Sequence, residues 1–230
     1  GLIVSRGVHQ MTDWPAAAAR HRAARDAAHA AHVAALAPLW SGIDGARKAA
    51  ILEHDACGLL AAMRAGEVSS REATLVYAER THHIGCGEIN AVTEAFFVDA
   101  LAAAEASDAR RASGAAVGAL EGLPITLKDC FDMEGTYSTV GFCSRVLQPG
   151  RHTAPDGLMT KILRDAGAVV LAKTNVPRGL LEGDTYNLLF GTTRNPWNLS
   201  RSPGGSSGGE GAMVAARCSA LGFGTDIGGS

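Results

Sequence analysis

Two glycine-rich segments near the end of the sequence carry serines that could act as nucleophiles. Ser206 lies within residues 204–209, which comprise four glycines and two serines, and Ser230 follows Gly228 and Gly229. Glycine allows the backbone to turn sharply and to approach a ligand closely. A serine hydroxyl becomes a nucleophile when a neighbouring base takes its proton. The two segments therefore predict a site built from hydroxyls and backbone N–H groups.

A candidate base stands at the end of a predicted strand. Ile125 and Leu127 alternate with other residues as in a strand, and Lys128 ends that run. A lysine in water has a pKa of about 10.4, so it can accept a proton near neutral pH only where burial lowers that pKa. The apolar strand before Lys128 is consistent with burial, although a lone lysine at a strand end is usually exposed.

The sequence that positions these residues alternates between strand and helix patterns. Residues 168–172 form a continuous apolar run, which is typical of a strand covered on both faces. Residues 156–166 before it predict a helix that turns Leu158, Ile162 and Leu163 inward. The order strand, helix, strand favours a mainly parallel sheet with helices on both sides.

The first half of the sequence is predicted to be mainly helical. Helical patterns and caps predict elements over residues 15–36, 46–65 with a break near His54, 70–83 and 98–109, with a strand within 89–97. Ser69 and Ser70 are candidate caps for the third of these helices.

Composition excludes several classes of protein. The 230 residues are 47% hydrophobic and carry a net charge of −2, so nothing favours nucleic acid or an anionic membrane surface as a partner. The five cysteines form no CxxC pair, which fits a reducing, cytoplasmic location better than a disulfide scaffold. No apolar run has the length of a transmembrane helix. We expect no metal and no organic cofactor.

With the residues around them, Lys128, Ser206 and Ser230 resemble the amidase signature family. The matching segments are GLPITLKD, KTNVP, NPWNLSRSPGGSSGGEGA and LGFGTDIGGS, which begin at residues 122, 173, 195 and 221. The sequence of these motifs resembles that of fungal-type acetamidases and fatty-acid amide hydrolases more than that of the glutaminase subunits of tRNA-dependent amidotransferases. Those subunits usually carry a small residue where this sequence has Glu210.

The resemblance implies a fold and a reaction. The fold is an α/β/α sandwich with a mixed, largely parallel sheet. Residues 46–230 would be the N-terminal half of that domain, with the C-terminal half missing, and residues 1–45 would be an added helical extension. The reaction is hydrolysis of a carboxylic amide to an acid and ammonia or an amine, through an acyl-serine intermediate.

The resemblance also implies a Ser–cis-Ser–Lys triad. Ser230 would be the nucleophile, and Ser206, after a cis peptide bond, would pass its proton to Lys128. The expected substrate contacts are Leu180, Ser206 and the backbone N–H groups of an oxyanion hole at Ile227, Gly228, Gly229 and Ser230. Asp226 is interpreted as a carboxylate that braces the glycine turn and not as a catalytic acid.

Other interpretations stay open. Because the sequence stops at Ser230, it could be a truncated, inactive amidase fragment, and a glutaminase-type component of an amidotransferase is a third, less favoured hypothesis. The nucleophile elbow of α/β-hydrolases also fits residues 204–208, but it requires a later histidine, and the last histidine is His152. The expected partner is a small-molecule amide, and homodimer formation is left open.

Overall fold

Helices dominate the first part of the chain in the computed structural model, which describes residues 13–147 and 155–230. The helices before the first strand are α1 (Trp14–Trp40), α2 (Gly45–Glu53), α3 (Ala56–Arg64) and α4 (Ser70–Arg80). A π-helix, Thr81–Glu88, continues directly from α4. The predicted helices are confirmed, including the break near His54 that separates α2 from α3.

Side-chain caps explain where three of these helices begin. Asp44 accepts from the backbone N of Ala46 at 2.8 Å, and Asp55 accepts from that of Gly58 at 2.6 Å. Of the two candidate caps, Ser69 accepts from the backbone N of Glu72 at 3.0 Å, and Ser70 is the first residue of the helix. Each bond satisfies an N–H group that has no partner within the helix, which fixes the first turn.

The strands form a mixed sheet in which parallel pairs predominate. Its strands lie in the order β1 (Val92–Ala95), β3 (Val169–Thr174), β2 (Pro124–Lys128) and β6 (Leu221–Phe223). The β3–β2 and β2–β6 pairs are parallel, whereas β1 is antiparallel to β3. Two further strands, β4 (Tyr186–Asn187) and β5 (Gly191–Thr192), form a separate antiparallel pair.

Helices cover both faces of the main sheet, which confirms the α/β/α sandwich. The remaining helices are α5 (Phe97–Ala112), α6 (Leu158–Asp165) and α7 (Gly208–Ala215), with short 3-10 turns at Cys143–Leu147 and Arg178–Leu180. Ile125 and Leu127 belong to a buried cluster with residues of α4 and α5. Ala172 belongs to a second buried cluster with Ala212 and Met213 of α7. Helix α1 joins the first cluster through Leu36 and Trp40.

Helix α6 forms where the sequence predicts it, but two of its predicted inward residues face outward. Leu158 is 75% exposed and Ile162 is 48% exposed, whereas Leu163 and Thr160 are buried. Residues three or four apart share a helix face, so Thr160 and Leu163 form the buried face and Leu158 and Ile162 form the opposite one. The prediction for Leu158 and Ile162 was wrong because this short helix buries a single row of residues. In that row Leu163 joins the core cluster and Thr160 donates to the carbonyl oxygen of Asp132.

Candidate active site

The end of β2 places Lys128 in the interior of the chain. Lys128 is fully buried, at 0% exposure, and it is the last residue of a strand that pairs on both sides. Its Nζ donates to Ser206 Oγ at 2.7 Å, to Ser207 Oγ at 2.9 Å and to Thr225 Oγ1 at 2.9 Å. The carbonyl oxygen of Thr225 lies 3.1 Å from the same nitrogen. The lysine therefore points into a ring of hydroxyls.

The electrostatic surroundings of Lys128 favour its neutral form more than water does. Lys128 forms no ion pair with any described residue. Burial lowers the pKa of Lys128, and this effect is opposed by the negative charge of Cys130, Asp226 and Glu210. Because burial penalises the charged ammonium, a larger fraction of Lys128 than of a free lysine is a neutral amine near neutral pH, and only that form can accept a proton from a neighbouring hydroxyl.

The segment that carries Ser206 is held between Lys128 and the start of α7. The Gly205–Ser206 peptide bond is cis, as the family resemblance implies, and Ser206 is 1% exposed. A Cβ atom at Gly208 would collide with the Thr185 side chain, and one at Gly209 would collide with the backbone of Asn175. The two glycines therefore let the helix approach the chain closely enough for Ser206 to reach Lys128.

The last turn of the chain brings Ser230 to the same cavity as Ser206. This cavity has a volume of about 330 Å³, and its lining includes Leu180, Ser206, Ile227, Gly228 and Ser230. Within the described residues no hydrogen bond joins Ser206 to Ser230. The structure thus brings Lys128 and Ser206 into direct contact, and it places Ser230 and the predicted substrate contacts around the adjoining space.

Asp226 shapes the turn that contains the predicted oxyanion hole. Its Oδ1 accepts from the backbone N of Gly229 at 2.5 Å and of Ser230 at 2.9 Å. These N–H bonds, first that of Ser230, lower the pKa of the Asp226 carboxyl. Gly229 has a φ of 105°, which glycine adopts more easily than any other residue. Asp226 is therefore a brace of the glycine turn, as the sequence indicates.

Leu180 reaches the cavity from a tight turn on the other side. It has a φ of 61° and follows Gly179, whose φ is 66°. A positive φ is uncommon for a residue other than glycine, so the surrounding structure must hold this turn. Leu180, Gly205 and Ser206 all line the cavity.

Sequence reasoning missed two of the groups that contact Lys128. Ser207 accepts from the backbone N of Thr225 at 3.3 Å and donates to the carbonyl oxygen of Thr225 at 3.1 Å, besides its bond to the lysine. The available signal was position, because Ser207 directly follows Ser206 and Thr225 lies inside the matching segment LGFGTDIGGS. Spacing alone does not show which hydroxyls turn toward the lysine.

The described part of the chain contains neither a candidate metal site nor a candidate membrane-spanning helix. Across residues 13–147 and 155–230, no three His, Cys, Asp or Glu side chains come together in a way that could hold a metal ion. In the same ranges, no helix has both the length and the apolar character needed to cross a membrane.

Comparison of the chain with known proteins identifies related families and structures. A family model described as Amidase matches residues 72–230, which is more than half of the chain. An acetamidase from Aspergillus oryzae is 40% identical over 199 residues, a region that covers 84% of this chain and 35% of the relative. One of the subunits of the glutamyl-tRNA(Gln) amidotransferase of Thermobifida fusca is 42% identical over 180 residues, covering 78% of this chain and 35% of that protein.

The solved structures agree with the sequence comparisons. A fatty acid amide hydrolase superposes with a TM-score of 0.83 and 30% sequence identity, covering 96% of this chain and 41% of that one. The chain thus spans only about a third of the length of the curated relatives it matches, 35% in the cases above. From the family match, the sequence identities and the shared fold, the chain belongs to the amidase signature family.

Proposed function

We propose that this chain carries the catalytic residues of an amidase that hydrolyses a carboxylic amide to an acid and ammonia or an amine. The observation that carries the proposal is the 2.7 Å contact between buried Lys128 Nζ and Ser206 Oγ, beside a cavity that Ser230 also lines. Two hydroxyls and a lysine with a lowered pKa are the groups that an acyl-serine mechanism requires.

Acylation begins when the Ser230 hydroxyl attacks the amide carbonyl carbon. As the C–O bond forms, the Ser230 proton passes to Ser206 Oγ, and the Ser206 proton passes to Lys128 Nζ. The tetrahedral intermediate then breaks its C–N bond, and Lys128 returns a proton through Ser206 to the departing nitrogen. The products of this half-reaction are the acyl ester of Ser230 and ammonia or an amine.

Deacylation uses the same residues with water in place of the amine. Lys128, again neutral, takes a proton from water through Ser206 as the water oxygen attacks the ester carbon. The C–O bond to Ser230 breaks, the serine regains a proton by the same route, and the carboxylic acid leaves. No net proton or electron is gained by the enzyme over the cycle.

The negative oxygen of each tetrahedral intermediate is assigned to the turn at residues 227–230. Backbone N–H groups aimed at such an oxygen are worth about 10²–10³ in rate for each donor. Asp226 accepts from the N–H groups of Gly229 and Ser230, so an oxyanion would compete with its carboxylate for those two donors. Leu180 supplies a further contact at the rim of the cavity.

A glutaminase activity is the second candidate. The relative from Thermobifida fusca belongs by name to an amidotransferase, and it is as similar in sequence as the acetamidase, at 42% and 40% identity. In that case the amide hydrolysed would be the side-chain amide of glutamine. The family resemblance associates Glu210 with the acetamidases and the fatty-acid amide hydrolases, and on that ground we favour the amidase.

The test is the intact mass of the purified chain after exposure to a fluorophosphonate, a reagent that modifies activated serines. The proposal requires one adduct, absent from Ser230→Ala and present in Ser113→Ala, an exposed serine at the C-terminal end of α5 that serves as the control. Absence of an adduct would favour the inactive-fragment hypothesis for this chain. Ammonia release from acetamide or from glutamine then separates the two enzymatic candidates.

A further inference from the structure

The carboxyl group of Glu210 is buried next to the active site, yet none of the steps above uses it. Glu210 lies in the first turn of α7 and is 5% exposed. Its Oε2 accepts from Thr126 Oγ1 at 2.6 Å, and its Oε1 accepts from Thr174 Oγ1 at 2.7 Å. A buried carboxyl with two partners on two different strands has a defined position.

The two threonines lie on the face of the sheet that carries Lys128. Thr126 precedes Lys128 by two residues on β2, and Thr174 is the register partner of Lys128 on β3. Alternate residues of a strand, and paired residues of neighbouring strands, project from the same face. The carboxyl of Glu210 therefore lies on the same face of the sheet as the Lys128 side chain, next to Thr126, which is the preceding residue of β2 on that face.

The third strand leaves room for this carboxyl. Gly222 of β6 pairs with Thr126, and a Cβ atom there would collide with Oε2 of Glu210. The same Cβ would approach the Val214 side chain to 3.0 Å. Three neighbouring strands thus contribute two hydroxyls and a glycine gap to one carboxyl group.

No cation neutralises Glu210 by direct contact. Among the ion pairs of the described residues, none includes Glu210. Burial raises the pKa of Glu210 to about 7, against the opposing effects of its threonine bonds and of the charge on Lys128. The negative charges of Cys130, Asp226 and Glu210 in turn oppose the lowering of the Lys128 pKa by burial. Each of the two buried groups therefore favours the charged form of the other.

We propose that Glu210 is a positioning residue for Lys128: its carboxyl fixes α7 to the strands beside the lysine, and its charge decides how tightly the lysine holds a proton. Two groups that interact in this way titrate as a pair. While Glu210 is ionised, it stabilises the ammonium that forms when Lys128 accepts a proton. When Glu210 is neutral, that stabilisation is lost and the amine is a weaker base.

The catalytic meaning of this coupling rests on the proposed function, but the coupling can be measured without any substrate. The sequence contains only four lysines, which are Lys48, Lys128, Lys161 and Lys173. Labelling lysine with ¹³C at Cε therefore gives an NMR spectrum simple enough to follow each side chain as pH changes. The Lys128→Met variant identifies the resonance of Lys128 by its loss.

The deciding variant is Glu210→Gln, which removes the charge and keeps the shape. A glutamine side chain can accept from one threonine hydroxyl and donate to the other. We expect proton binding by Lys128 to weaken by at least about threefold, since the loss of a nearby unit charge in a poorly solvated site shifts such equilibria strongly. Glu134→Gln, at an exposed carboxyl outside this site, should leave the Lys128 midpoint unchanged.

A purely structural role for Glu210 gives a different result. It predicts an unchanged Lys128 midpoint in Glu210→Gln, with backbone amide exchange in α7 as slow as in the parent, and that outcome would overturn the proposal. If Glu210→Gln does not fold, Thr174→Val decides the question. Loss of that hydroxyl leaves Glu210 less able to ionise, so the Lys128 midpoint should fall, and no fall would contradict the coupling.

The outcome is distinguishable from failure of the proposed function. A chain that gives no fluorophosphonate adduct but shows the lower Lys128 midpoint would retain the coupling and lose the enzymatic assignment. A chain that gives the adduct but shows no change at Lys128 would retain the enzyme and lose the role of Glu210. In an active chain, Glu210→Gln should also move the acidic limb of the labelling rate to lower pH, because that limb follows the neutral lysine.

Discussion

Lys128 and Lys173 are both buried on adjoining strands, but they face opposite sides of the sheet and meet different partners. Lys128 contacts three hydroxyls and a carbonyl oxygen at the end of β2. Lys173 lies one residue before Thr174, the register partner of Lys128. Its Nζ donates to the carbonyl oxygen of Tyr137 at 2.6 Å and to Ser138 Oγ at 3.3 Å.

Two carboxyl groups adjoin Lys173 on its own face of the sheet. Glu94 is its register partner on β1, and Asp129 directly follows β2. Asp129 accepts from Thr139 Oγ1 at 2.8 Å and from the backbone N of Val140 at 2.6 Å. Burial raises the pKa of both carboxyls, to about 7 for Glu94, and the charge of Lys173 opposes this rise.

The difference shows that burial alone does not make a lysine a base. Lys173 donates to a backbone carbonyl oxygen and to a hydroxyl in the segment that follows Asp129, and these bonds hold that segment against β3. A buried lysine that faces mainly hydroxyls has groups from which it can take a proton. The partners decide the role, and substitutions at the two sites should therefore separate chemistry from stability.

The largest expected effect is on the chemistry of the Lys128 site. Lys128→Met keeps the length of the side chain and removes the base, so the rate of fluorophosphonate labelling at Ser230 should fall by about 10²–10⁴-fold. The measurement is the time course of the adduct by intact mass. Lys161→Met, at an exposed lysine of α6, is the control, and a labelling rate for Lys128→Met equal to that control would refute the assignment of the base.

At the other lysine, we expect stability to change. Lys173→Met removes the ammonium that donates to the Tyr137 carbonyl oxygen and to Ser138 Oγ. Its charge also acts on the carboxyls of Glu94 and Asp129. The loss of a partner that leaves buried acceptors without a hydrogen bond typically costs about 1–3 kcal/mol. Urea denaturation gives the free energy of unfolding, compared with that of Lys161→Met. A decrease in the free energy of unfolding below about 1 kcal/mol would show that Lys173 does not stabilise the fold, and the proposed difference between the two lysines would then be wrong.

The pH dependence of stability should reveal the carboxyl beside Lys173. The pKa of Glu94 rises from about 4.5 to about 7 on folding, so between these values the folded chain keeps a proton that the unfolded chain releases. Stability therefore falls as pH rises through this window, by up to about 3 kcal/mol for a single group. Glu94→Gln should make this part of the curve shallower in urea titrations at pH 4.5 to 7, with the contribution of Glu210 remaining. An unaltered slope would count against the raised pKa of Glu94.

The smallest expected effects come from one hydroxyl at each lysine. Ser207→Ala removes the bonds of that hydroxyl to Lys128 and to the backbone of Thr225. Ser138→Ala removes the bonds of its hydroxyl to Lys173 and to the carbonyl oxygen of Phe131. Each variant should therefore reduce the free energy of unfolding by about 1–2 kcal/mol. Only Ser207→Ala should also slow fluorophosphonate labelling, by about two- to tenfold. Equal labelling rates for the two variants would mean that the Ser207 hydroxyl does not help to hold Lys128 in place.

The sequence predicts the parts of this structure that depend on local pattern. Alternation and apolar runs predict β2 and β3, and the cap at Ser69 predicts the start of α4. Lys128 and Ser206 are predicted because their neighbours match a known family, and the structure joins them over 78 positions of sequence. The family motifs and their spacing predict this distant contact, whereas local periodicity gives no information on contacts between distant residues.

What the sequence does not predict depends on contacts between distant residues. The antiparallel direction of β1 and the outward face of α6 follow from how elements pack, which their own patterns do not encode. The burial of Glu210 between two threonines was also missed, because a glutamate in a glycine-rich segment is usually solvated. Only the approach of α7 to the sheet turns that side chain inward.

The glycine at position 222 has an evolutionary consequence. The Glu210 carboxyl occupies the space that a side chain at position 222 of β6 would need, since a Cβ atom at Gly222 would collide with Oε2 of Glu210. A lineage that replaced the glutamate by a small residue would leave a void that a methyl group at 222 could fill, whereas a lineage that kept the glutamate could not accept that methyl group. Positions 210 and 222 should therefore change together across the family, and the pair would record which of its branches retained the buried acid.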